Sequence, residues 1–189
     1  MYPGYNISVI MKALSVYKHT LIYSDAGSPF NNSMYGALKL LFGHGENVLH
    51  SGYGTLDILN YECTAFYLVI LLMALYLYLK SLLNNMELIY AAVCCYVLGS
   101  TIFATYHTVV FYFIFILFIG EKKIDAQNIR NLTMLVASMF IIIPKNYAYI
   151  HRISIEVILN AAVLNLGLFT ILYFAFKNLL SRASRRLIQ

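Results

Sequence analysis

The stretch LIYAAVCCYVLGSTIFATYHTVVFYFIFILFIG, residues 88–120, runs for 33 positions without a formal charge. As one helix rising 1.5 Å per residue it would be about 50 Å long, against a hydrocarbon core of about 30 Å. Either it crosses a bilayer once, with surplus length that tilts or bends, or it crosses twice as two short helices meeting near Thr105 to Thr108. The choice fixes how many times the chain traverses the membrane and on which side each end lies.

A bilayer is the right solvent to consider. Of the 189 residues, 61% are apolar and 11% charged, with a mean hydropathy of +0.72. A water-soluble chain of this size needs far more charge to cover its surface. Trp is absent, so the 17 tyrosines must supply the interfacial anchors. The net charge of +5 comes from scattered bases without aromatic interleaving, which argues against a nucleic-acid partner.

Further apolar runs flank the central one. Residues 63–79 extend to Leu59 on one side and Lys80 on the other, Asn131 to Ile143 continue toward Ile150 with an interruption at Pro144-Lys145 where the helix should kink or stop, and Val157 to Phe176 precede a basic tail. Upstream, Ile7, Ile10, Met11, Leu14, Tyr17 and Leu21 recur at helical spacing and predict an amphipathic helix within residues 6–23. Asn32 or Ser33 is placed to cap a short helix from Met34 to Phe42. The chain thus divides into an N-terminal extramembrane or interfacial region (1–58), a transmembrane helical domain (59–176) and a basic tail (177–189).

Charge decides between the two threadings. A single crossing of 88–120 gathers ten of the thirteen Lys and Arg on one side and leaves Lys80, Lys145 and Arg152 on the other. Two crossings set Lys12, Lys18, Lys39, Lys145 and Arg152 against the remaining eight. The stronger bias goes with one crossing. The expectation is an all-α, multi-pass membrane protein of four spans, with five as the alternative, and both termini on the positive face. A mitochondrial inner membrane is preferred to the endoplasmic reticulum or Golgi.

Gly52-Tyr53-Gly54 matches the core of a potassium-channel filter. A filter needs a span before its pore helix, and none precedes His50; Thr-Val is also missing ahead of the tripeptide. A glycine-permitted turn leading into the first span is the expectation instead.

Polar residues inside the apolar runs are the site candidates. His107 is a weak candidate for cofactor binding, or for a proton or quinone site, against the simpler reading of a neutral imidazole bonded to a neighbouring helix. Asn160 and Asn165 differ by about 140° around their helix, so interhelical hydrogen bonds suit them better than one shared substrate path. Glu156 is expected to pair with Arg152 four residues away. Ala91, Cys95 and Gly99 form a small-residue stripe for close helix packing. Cys63, Cys94 and Cys95 lack Cys-x-x-Cys spacing and read as buried thiols. The glycosylation patterns at Asn6, Asn31 and Asn131 are read as chance. No catalytic set, metal-ligand pattern or phosphate loop is present, so no enzyme, cofactor or metal is expected.

Asn60-Tyr61 before an apolar run and Ala175-Phe176-Lys177 at the end of the last one resemble the prenylated Rab acceptor family. The length of 88–120 and the missing basic and Pro positions around the first hairpin depart from that family, and no functional residue is carried over. The overall plan is similar to small virion membrane proteins of insect and plant RNA viruses, in architecture rather than motif. The function expected is a non-enzymatic subunit that scaffolds a larger membrane complex, such as a mitochondrial respiratory assembly, with the bilayer and other membrane subunits as partners. Alternatives are a small transporter or channel subunit using His107 with Asn160 or Asn165, and a membrane-shaping or virion membrane protein.

Overall fold

The computed structural model describes residues 7–17, 31–42, 52–101, 103, 109–120, 129–143, 145, 149–150 and 153–187. The described chain is helical, apart from a two-residue antiparallel ladder. In chain order the elements are α1 (Ile7–Tyr17), α2 (Met34–Phe42), α3 (Gly52–Leu79), α4 (Asn85–Gly99), α5 (Val110–Gly120), α6 (Ile129–Ile142), β1 (Tyr149–Ile150), β2 (Ile153–Ser154) and α7 (Ile155–Leu187). The ladder pairs Tyr149 with Ser154 and Ile150 with Ile153. Two helices, over Leu56–Leu79 and Ile155–Ser184, are long and apolar enough to cross a membrane.

Residues 88–120 do not form the single helix expected. Helix α4 ends at Gly99, Ser100 is extended, and the next described helix begins at Val110. Gly99 permits the stop because it has no side chain to keep clear of α3: a Cβ there would lie 2.9 Å from the Tyr67 Cβ. Thr64 of α3 then seals the end by donating to the Gly99 carbonyl at 2.8 Å. Charge counting missed this break because it weighs the ends of a run, not the backbone within it.

The α3–α4 hairpin is closed by local chemistry. Ser81 adopts a left-handed φ of 55°. Its amide donates to Tyr78 O, and Leu82 N donates to Leu77 O. That pattern is a Schellman end, with Leu77 and Leu82 as its buried apolar contact. Asn84 then starts α4 through a capping box: its side chain accepts from Glu87 N while Glu87 reaches back to Asn84 N, both at 2.8 Å.

Helix α4 is the centre of the bundle, touching α2, α3, α5 and α7, while α6 packs between α5 and α7. Gly167 of α7 sits against the Tyr90 hydroxyl and Ala137, bringing α4, α6 and α7 together at one point. Two helices also run beyond the apolar segments read from the sequence. Gly52-Tyr53-Gly54 form the first turn of α3 rather than a separate turn, so that helix runs through residue 58. Helix α7 continues past Phe176 to Leu187, absorbing most of the basic tail. In both cases a long helix carries its neighbours along, since extending it needs one residue at a time and no new nucleus.

Candidate functional site

The polar side chains gather at two places inside the bundle. The first lies where α2, the end of α4 and the start of α7 meet. Ser33 caps α2 by accepting from Gly36 N at 3.0 Å, and it also donates to Thr101 O. Asn31 clamps the chain just after α4. Its amide donates to Thr101 O at 2.9 Å and its Oδ1 accepts from Phe103 N at 2.8 Å. Asn32 N donates to Phe103 O, also at 2.8 Å. Backbone groups freed by the break after Gly99 are therefore satisfied by a segment some seventy residues earlier, as buried irregular backbone requires.

Asn32 also links this clamp to α7, accepting from the Asn160 amide at 3.0 Å. Asn160, fully buried, accepts in turn from Lys145 at 3.1 Å. Lys145 closes the C-terminal end of α6, donating to the carbonyls of Phe140 and Ile143, with its ammonium 4.2 Å from the Phe140 ring centroid. Burial pushes the Lys145 ammonium below the usual lysine range, and the nearby Glu156 carboxylate opposes that shift. Glu156 thus faces Lys145; its expected partner Arg152 lies outside the described residues.

One and a half turns further along α7, Asn165 accepts from the Tyr67 hydroxyl at 2.6 Å and donates to Ala161 O at 2.8 Å, with Met34 Sδ 3.7 Å from its amide. Asn160 and Asn165 therefore both reach the start of the α2 region, at Asn32 just ahead of the helix and at Met34, its first residue, although they leave α7 in different directions.

The second cluster lies at the opposite end. Glu87, fully buried, forms an ion pair of 3.0 Å with Arg130 at the start of α6, and Arg130 also donates to Leu82 O. The capping box and the ion pair use opposite carboxylate oxygens, so one buried side chain ties the α3–α4 turn to α6. Asn84-x-x-Glu87 was a legible capping signal in the sequence. Nothing there connected it to Arg130.

Of the remaining candidates, Ala91 and Cys95 are buried in α4 and Gly99 abuts Tyr67. His107 lies outside the described residues. Cys63, Cys94 and Cys95 are buried free thiols. Asn31, one of the glycosylation patterns, is buried with both side-chain polar atoms bonded. Among the described residues no three His, Cys, Asp or Glu come together as metal ligands. The amides, hydroxyls and single ion pairs hold segments together; among the described residues none forms a nucleophile with a base and its orienting group. No protein-family model, curated protein or solved structure matches this chain.

Proposed function

We propose that the protein is a non-enzymatic, multi-pass membrane subunit whose helical bundle acts as a scaffold within a larger membrane assembly. The observation that carries this reading is its inverted polarity. The outer faces of α3 and α7 present Phe66, Leu68, Val69, Leu72, Leu166, Phe169 and Tyr173, all exposed, whereas Asn160, Glu87 and Ser138 are buried. Water would penalise the first set and lipid the second if it were turned outward.

The alternation of ends favours five traversals over the four expected from charge. Glu87 and Arg130 place the starts of α4 and α6 together, beside the end of α3. Phe103 and Lys145 place the chain after α4 and after α6 at the other end, beside the start of α7. The chain must return between Phe103 and Arg130, and α5 is the helix available to carry it. The side holding the end of α7 then collects eight of the thirteen bases, in keeping with the positive-inside bias.

The scaffold role is supported by where the polar side chains point: Asn31, Ser33, Tyr67, Lys145 and Asn160 each hydrogen-bond to another segment of the bundle. Partition is the first test. The full chain expressed with membranes stays in the pellet after extraction at alkaline pH; release into the supernatant overturns the membrane reading. Native electrophoresis in mild detergent then finds the chain in a species well above its 21.5 kDa mass; migration as a monomer overturns the subunit reading.

A further inference from the structure

Both long apolar helices end in the same way. In α3 Tyr76 is followed by Lys80, and in α7 Tyr173 is followed by Lys177, one turn later in each case, with all four side chains exposed. The Lys80 ammonium lies 5.6 Å from the Tyr76 ring centroid. The two ends stand at the same level, because Arg182 of α7 donates to the Lys80 carbonyl at 3.4 Å. Arg185 and Arg186 follow in the same helix. An exposed tyrosine one turn below an exposed cation is the order of chemistry met on leaving hydrocarbon for headgroups.

Among the described residues the acids do not share this end as exposed groups. Asp57, Glu62 and Glu156 belong to the other end of their helices, and Glu87 is buried against Arg130. We infer that Lys80, Lys177 and Arg182 form a docking surface for the phosphates of anionic phospholipids in the leaflet at this end. Arg182 commits its NH1 donor to Lys80, and a guanidinium has further donors to offer a phosphate. Clustered bases just beyond spanning helices are attracted to anionic lipid in this way.

The inference rests on the membrane reading, and the test separates the two. The full chain, purified in nonionic detergent, is incubated with equal amounts of phosphatidylglycerol and phosphatidylcholine, and the lipids it retains are measured by native mass spectrometry. The wild type retains phosphatidylglycerol preferentially, and 0.5 M salt weakens the preference. Removing each charge lowers it about fivefold, first in Lys80→Gln/Lys177→Gln, which leaves the Arg182 bond intact, and then in the triple variant with Arg182→Gln. Equal retention of both lipids by the wild type, or a preference unchanged in the variants, overturns the headgroup site while leaving the membrane reading in place. A chain that stays dispersed without detergent and retains neither lipid overturns both.

Discussion

The Tyr67 hydroxyl of α3 donates to Asn165 Oδ1 of α7 across 98 positions of sequence, at 2.6 Å. In lipid, such a bond links two helices that have no hydrophobic force between them. Tyr67→Phe and Asn165→Leu, with their double variant, should show a coupling of about 0.6 to 1.7 kcal/mol in detergent unfolding. Additive losses would show that the bond contributes nothing between these helices.

Gly167 is needed because the Tyr90 hydroxyl occupies the place of a side chain. That hydroxyl is buried without a well-formed hydrogen bond. Tyr90→Phe alone should therefore be neutral or slightly stabilising. Gly167→Ala should cost about 1–3 kcal/mol by overpacking, and part of that loss should return in the Tyr90→Phe background. Thermal unfolding of the three variants checks it; a Gly167→Ala protein as stable as wild type contradicts the contact.

Glu87 and Arg130 pose a test of buried charge. Arg130→Met strands the carboxylate and should cost about 3 kcal/mol or more. Glu87→Gln/Arg130→Met removes both charges while leaving a side chain that still reaches back to the Asn84 amide. The double variant should be more stable than Arg130→Met. If it is less stable, the pair is not what holds α6 to the α3–α4 turn.

Ser81 occupies a left-handed conformation that glycine adopts without strain. Ser81→Gly should stabilise the hairpin by up to about 1 kcal/mol, and Ser81→Val should destabilise it by about 1–2 kcal/mol. Equal midpoints for the two variants would show that the turn does not hold that backbone.

The helices at Met34–Phe42 and Ile129–Ile142 were legible because each begins or ends on local chemistry: the Ser33 cap and Pro144. The stop at Gly99 was not, because what ends the helix there is the approach of Tyr67 and the hydroxyl of Thr64, residues on another segment. The polar clusters failed to show in the sequence for the same reason. Asn31 read as a chance glycosylation pattern and Asn32 as a cap candidate, and only the fold sets them against Thr101, Phe103 and Asn160. Glu156 had a candidate partner in Arg152 at helical spacing, which lies outside the described residues; the cation that acts on its carboxylate in the structure is Lys145, eleven positions earlier and off that spacing.

The reversal of the chain between Phe103 and Arg130 decides the whole threading, and the positions of the two ends report it most directly. With an impermeant label added to sealed, oriented vesicles, a tag ahead of Met1 and a tag after Gln189 should react from opposite sides, as five traversals require. Reaction of both tags from the same side would contradict the account.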